Sequence, residues 1–574
     1  MNPHWKIDQP RADIIDIFCR SLPCHPVTAT VLANRGFRRP EEVDAFFYPS
    51  LSNLHPPFAM KDMETAVKRI SRALIRHEKI LIFGDFDVDG VTATAILVNF
   101  LQDAGADVST FIPHRVDDGY GLSSRYIITQ AMPSGIDLII TVDNGSSSHG
   151  AVDQAREVNI DVIIIDHHTI TEPFPAAVAV VNPKRTDCTA GLADLAGVGV
   201  VFALLVCLRK HLRDRRFWKK RPEPNLKHIC DLVALGTVAD MVPLRDDNRI
   251  LTRTGIDMIR HNHPRPGLTA LLTLAGVAAE TVDSDDIAYR LAPRLNAAGR
   301  MDHAETALSL LTTNDPGIAG QLAQRIETLN TRRRKVQKNL IDRIHTDLKG
   351  KPDLLKGHSL ILWGESWHEG VLGIAAAHFV RMYHRPVILI STRNGVGKGS
   401  ARSIPGFDLY QGLAACRELL TGFGGHALAA GIKVKVNKLD EFRRRFETIV
   451  LEATGKMAFT PDIRIDCELK LDDISDHLLD ELELLAPFGN TNPEPLFISR
   501  NVEVVSGKIV GKAHLNMRLR QQPGSSGRTF QAMQFNVDPQ KKVPRIFESI
   551  VFRVGWNRWN QSRTARIIIE TVYF

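Results

Sequence analysis

The sequence predicts an α/β protein: two α/β domains joined by a long helix, the first built on a parallel sheet, then a small C-terminal β-barrel. Three observations carry this. From residue 60 onward, short β-branched runs alternate with helical stretches. Residues 316–348 read as one polar helix. Residues 500–574 turn to short strands with turn-rich connections. The 574 residues, 44% hydrophobic and 24% charged, exclude disordered and fibrous classes. At roughly 100–200 residues per domain they accommodate three or four cores.

Residues 1–57 are proline-rich and read as an irregular N-terminal extension with short helices at 26–35 and 40–47. A catalytic domain is expected over 58–315. Its helical pattern at 64–77 leads into the apolar run 79–84, a second helix at 91–104, and further runs at 108–113, 137–142 and 161–166. Strands alternating with helices argue for a parallel sheet covered on both faces, with ligands at the strands' carboxyl ends. Residues 316–356 form a connector, in which Ile326, Leu329, Val336, Leu340 and Ile344 carry helical spacing and the Gly/Pro content of 349–357 marks a boundary. A second α/β domain, 357–455, follows with strands at 359–363 and 387–391, a helix at 373–383 and Gly-rich loops at 394–399 and 422–431. In 456–574, five strand runs (502–505, 515–519, 529–535, 550–554, 566–573) suggest a barrel.

The formal charge of +7 is uneven. Residues 500–574 hold 13 Lys/Arg against four acids, a net +9, and the rest of the chain sums to −2. Phe530, Phe535, Phe552, Trp556 and Trp559 interleave with that charge, which is the composition of a single-strand-binding surface, although about half such aromatics belong to barrel cores. The basic runs 209–221 and 332–335 read as solvated faces. Seven scattered cysteines without a CxxC pair exclude a disulfide framework or zinc ribbon. The N-terminus lacks an apolar signal core, and the longest apolar run, 196–208, is too short for a bilayer. The expectation is a cytoplasmic protein with no membrane association.

Chemistry concentrates in four clusters, each expected at a strand end. In GDFDVDG (84–90), Asp85, Asp87 and Asp89 alternate, which places them on one side of an extended backbone; a divalent cation is the usual compensation for such crowding. TVDNG (141–145) offers Asp143. IIIDHH (163–168) offers Asp166, His167 and His168, one imidazole suited to metal and the other to phosphate, with Asp166 as an orienting partner. GTVADM (236–241) offers Asp240. Asp and His without thiolate point to Mn2+ or Mg2+ rather than zinc. No GxSxG elbow or P-loop competes.

In this order the four clusters resemble the motifs of the DHH phosphoesterase superfamily, and GGHALAAG (424–431) resembles the signature of the DHH-associated domain. The wider match, over nearly the whole chain, is to the bacterial RecJ single-strand DNA exonucleases. It includes IPHRVDDGYG (112–121), RLNAAGRM (294–301), WHEGVLG (367–373), GSAR (399–402) and APFGN (486–490). The resemblance implies two ions, Asp87 and Asp143 holding one, and Asp89, Asp143, His167 and Asp240 the other, with Asp143 bridging. His168 would lie near the scissile phosphate. Many superfamily members carry a His four residues before the Asp matching Asp87. Here Phe83 stands there, and Asp85 is the candidate substitute.

The resemblance further implies that Arg115, Ser400 and Arg402 bind a 5′ phosphate, that Arg294 and Arg300 lie near the path, that His426 contacts substrate, and that the barrel is of OB type. The function implied is a 5′-to-3′ exonuclease that degrades single-stranded DNA to mononucleotides in repair and recombination. It would act as a monomer beside single-strand-binding protein and a RecQ-type helicase. The polarity comes from the resemblance alone. A DHH-type phosphodiesterase of short oligoribonucleotides or cyclic dinucleotides is the enzymatic alternative, opposed by the basic barrel. A catalytically silent DNA-binding scaffold is the other, opposed by the retained Asp/His set.

Overall fold

The computed structural model describes residues 4–262, 264–455, 462–511, 513–522, 527–539, 543–559 and 562–573. The chain divides into two compact units, Leu54–Phe459 and the combination of Met1–Asn53 with Thr460–Phe574.

The larger unit holds two sheets. The first is all parallel, with Asp107–Phe111, Lys79–Phe83, Leu138–Val142, Asp161–Ile165 and Ala179–Val181 side by side in that order. Its strands are short apolar runs buried on both faces. One face packs Leu81, Phe83, Ile139 and Ile164 against Ile127, Val152 and Ala155. Helix Val88–Asp103, buried almost all round, packs with Gly197–Asp214 and Cys230–Ala239. Strand Lys79–Phe83 pairs with Asp107–Phe111 on one side and Leu138–Val142 on the other, so the winding reverses there. A crevice opens at the carboxyl ends beside such a reversal.

One expectation fails. Asp240 does not follow a strand, because Leu232–Leu235 lies inside helix Cys230–Ala239 and Asp240 caps its carboxyl end. A four-residue apolar run is the same in a buried helix and a buried strand, and here the surrounding helices decide.

Helix Pro316–Gly350 runs 35 residues, packing on Ala292–Met301 and on Glu369–Tyr383. The second sheet is mixed. Leu360–Glu365 and Val387–Arg393 are parallel, and Val396–Arg402, Ala429–Lys435 and Leu420–Gly425 add antiparallel.

In the smaller unit five strands close a barrel. Phe497–Val510, His514–Gln521, Phe530–Gln534, Ser562–Tyr573 and Ile546–Trp559 pair in turn, and the last returns to the first. Residues 1–53 are no separate extension. Ile14, Phe18, Leu32 and Val43 share one core with Phe497, Leu519 and Phe552, and His4–Ile7 pairs in parallel with Asp462–Ile465. Phe530 and Phe552 are core residues and Phe535 is exposed. Trp556 donates its Nε1–H to Asp480 at 2.8 Å, with the Arg563 guanidinium 4.4 Å over its ring. Lys512, Lys541, Lys542 and the Trp559 side chain lie outside the described residues. The seven cysteines are free, and no helix among the described residues is long and apolar enough to cross a membrane.

Candidate active site

The carboxylates and imidazoles gather at the crevice where the sheet order reverses. Asp87 caps helix Val88–Asp103, its Oδ1 accepting from the Gly90 amide at 3.1 Å. Asp89, in the first turn, accepts from the Gly197 amide at 2.6 Å and the Val198 amide at 2.9 Å, so one helix N-terminus holds it from outside. Asp143 follows Leu138–Val142 in the left-handed region, φ 61°, and points its buried Oδ1 to 3.2 Å from His167 Nε2. Asp240 Oδ2 lies 3.6 Å from the same nitrogen. Gly236 lets Asp240's helix come this close, since a Cβ there would stand 2.3 Å from Thr92 Oγ1.

Three sets bring ligand atoms within 4.8 Å of one another: Asp85, Asp87 and Asp143; Asp89, His167 and Asp240; and Asp143, His167 and His168. Asp143 therefore stands between the first two. Phe83 is in the core, its ring against those of Phe111 and Tyr126, while Asp85 joins the acidic set.

Burial, and then neighbouring carboxylate charge, pushes Asp85, Asp143 and Asp240 well above the usual range and Asp89 to about 7. His167 is driven down to about 3, first by burial and then by the charge of His168. Burial also opposes charge on His168, but Asp166 overcomes it and raises that imidazole to about 9. Asp166 in turn is buried yet held well below the carboxylate range by His168 and His167 and by the Ser146 amide. It also accepts from the His167 amide, and its Oδ1 lies 2.8 Å from His168 Nδ1.

These residues fit divalent cations. Asp85 Oδ1, Asp143 Oδ1 and both His167 nitrogens are buried without a hydrogen-bond partner among the described residues. His167 is neutral, as a ligand must be, and Asp240 sits at the negative end of a helix, where a cation offsets both charges. The donors are oxygen and imidazole nitrogen, suited to Mn2+ or Mg2+.

The other predicted residues meet the cluster from both α/β domains. The His426 ring stacks on His168, centroids 5.6 Å apart and 15° between planes. Arg402 Nη1 donates to Ser400 Oγ at 3.2 Å, and Arg300 Nη1 donates across the domains to the Gly370 carbonyl at 3.1 Å. Arg294 differs, being ion-paired to Glu327 at 2.7 Å.

Comparison with known proteins agrees with this architecture. Residues 79–237 match the DHH family, N-terminal domain, 356–452 the DHHA1 domain, and 465–571 the RecJ OB domain. The single-stranded-DNA-specific exonuclease RecJ of Dickeya dadantii is 36% identical over 568 residues, 96% of each chain. The chain belongs to the RecJ family. The Escherichia coli RecJ is 35% identical, covering 96% of each chain. The crystal structure of RecJ in complex with Mn2+ from Thermus thermophilus superposes with TM-score 0.83 at 28% identity, over 100% of this chain and 79% of that one. Its Mg2+ complex gives 0.77 at 27%, over 100% and 78%. The parallel-sheet domain, the second α/β domain and the closed OB barrel are thus the RecJ arrangement.

Two residues of this RecJ-family chain escaped the sequence reading as site members. Tyr120 lies within the 112–121 motif, and its hydroxyl donates to the Asp143 carbonyl at 3.2 Å and lies 3.2 Å from His168 Nδ1. Gly197 holds Asp89 through its amide, and nothing in the surrounding apolar run marks that role.

Proposed function

We propose that this RecJ-family protein is a metal-dependent exonuclease that hydrolyses single-stranded DNA from the 5′ end to mononucleotides. The observation supporting it is the meeting, in one compact unit, of the carboxylate–imidazole sets with three arginines that lack carboxylate partners. Among the described residues Arg115, Arg300 and Arg402 form no ion pair, and all three stay below the usual arginine range through burial, Arg300 and Arg402 also through Arg115's charge.

Mn2+ or Mg2+ held by Asp85, Asp87 and Asp143, and by Asp89, His167 and Asp240, would supply Lewis-acid charge to the attacking water and to the phosphoryl oxygens. The protein's part is preorganisation. The Gly90, Gly197 and Val198 amides preset Asp87 and Asp89. His168, cationic at neutral pH and anchored through Nδ1 by Asp166, places a positive edge where charge develops on the scissile phosphate. The unpaired guanidinium forks of Arg115 and Arg402, with the Ser400 hydroxyl, suit a terminal phosphate dianion, and docking it there brings the first diester to the carboxylates. Arg300 and His426 line the same approach, and Arg294 contributes through its pair with Glu327.

The domains we assign are the DHH domain 58–315, the connector 316–356, the DHH-associated domain 357–455 and the OB-like domain 456–574, whose core the N-terminal residues share. The wider reading places a monomer in the cytoplasm, acting in repair and recombination with single-strand-binding protein and a RecQ-type helicase.

The test gives purified protein single strands labelled at either end. Mononucleotides released first from the 5′ end, dependent on Mn2+ or Mg2+ and abolished by chelation, are expected. Metal-indifferent cleavage, or shortening from the 3′ end first, would refute the reading.

A further inference from the structure

We infer that Phe86, the aromatic residue inside the DFDVDG motif, is a positioning residue whose ring aims the Arg115 guanidinium at the 5′ phosphate without neutralising it. The inference rests on the reading of Arg115 given above. The guanidinium carbon of Arg115 lies 4.5 Å from the Phe86 ring centroid. Among the described residues Arg115 has no carboxylate within ion-pair distance and no hydrogen bond; Asp85 and Asp87 attract it only from longer range. Arg294 shows the alternative. It is held by Glu327 at 2.7 Å, which orients the guanidinium and also takes up its charge. A ring face orients a guanidinium through its quadrupole yet leaves the charge and all five N–H donors for an anion.

Phe86 is itself well fixed. It is 9% exposed, and the edge of the Tyr120 ring meets it at 6.4 Å and 74°. Its carbonyl packs so closely on helix Ala292–Met301 that a Cβ at Gly299 would stand 2.5 Å away. Phe86 lies between Asp85 and Asp87 in the chain, at the bend that leads into helix Val88–Asp103. One short segment thereby sets both the acidic set and the direction of the arginine.

The experiment compares kcat and KM on strands with a 5′ phosphate and a 5′ hydroxyl for wild type, Phe86→Leu, Phe86→Tyr, Arg115→Ala and the F86L/R115A double variant. Wild type should prefer the phosphorylated end. F86L should lose about tenfold of that preference, the size of a partly desolvated cation–π contact, through KM and with kcat within about twofold. F86Y should keep the preference, and F86L should add nothing to R115A. If F86L does not fold, Phe86→Met, without a π face, carries the same expectation. Wild-type preference that F86L or F86M retains overturns the inference, as does a double variant whose losses multiply. A wild type indifferent to its 5′ end overturns the reading of Arg115 itself, and this inference with it.

Discussion

Replacing Asp143 by asparagine removes one negative charge from the point where the acidic sets meet. Asparagine is the right replacement because the backbone there has φ 61°, a left-handed conformation that Asn tolerates and Ala resists. Ligand oxygens of Asp85 and Asp87 lie within 4.8 Å of that of Asp143. Two unit charges at that distance repel by about 3–4 kcal/mol at an effective dielectric of ~20. Burial and mutual repulsion already raise Asp85 and Asp143, so proton uptake offsets part of this and leaves relief on the order of 1–3 kcal/mol. Metal-free D143N should therefore melt about 1–4 °C above metal-free wild type at pH 7. Mn2+ should invert the order, since a ligand that binds only the folded state stabilises by its occupancy and the variant has lost a ligand. Hydrolysis should fall at least about 100-fold, which is already the cost of losing an outer partner, while anisotropy with a labelled strand shows binding within about threefold of wild type. Thermal shift with and without Mn2+ and a turnover assay decide it. A metal-free variant less stable than wild type, or turnover within tenfold, would refute the reasoning.

The same crowding has a pH signature. Asp85, Asp89, Asp143 and Asp240 are raised in the folded protein, so their stabilisation is full below the unfolded carboxylate value of about 4 and is lost as pH rises through their folded values, about 7 for Asp89. Metal-free protein should melt lower at pH 8 than at pH 5, and saturating Mn2+ should remove the difference; a difference that survives Mn2+ would place its origin elsewhere. Asp166 has the opposite sign, and its stabilisation is lost only as pH falls below about 4. The basic barrel is tested by comparing the full chain with residues 54–459, because a deletion from 460 alone strips Phe18 and Leu32 of their core. The fragment should bind long strands more weakly and with a shallower dependence on salt; equal affinity and slope would make the tail's charge incidental.

Much of the candidate site is legible because its acids and imidazoles are local. Asp85, Asp87, Asp89, Asp143, Asp166, His167 and His168 follow directly on apolar β-branched runs, and a run ending in acids is a one-dimensional signal. Asp240 carries the same signal at the end of a helix, so its residue type is readable and its element is not. The arginines show a sharper limit. Arg115 and Arg294 look alike in sequence, yet one meets a ring and the other a glutamate 33 positions downstream. The barrel aromatics divide in the same way: strand register turns Phe530 and Phe552 inward, while Phe535, just past the end of its strand, is exposed.

The sequence by itself determined the α/β order, the parallel sheet, the barrel, the acids and imidazoles available to the crevice and the placement of positive charge in the last 75 residues. These depend on spacing along the chain and on residue chemistry, which need no partner to be read. Only the tertiary structure decided that residues 1–53 complete the barrel's core, that Asp240 arrives on a helix made close-packing by Gly236, and which arginines keep their charge. Each is settled by what lies opposite in space, and burial and pairing are properties of that neighbour as much as of the residue.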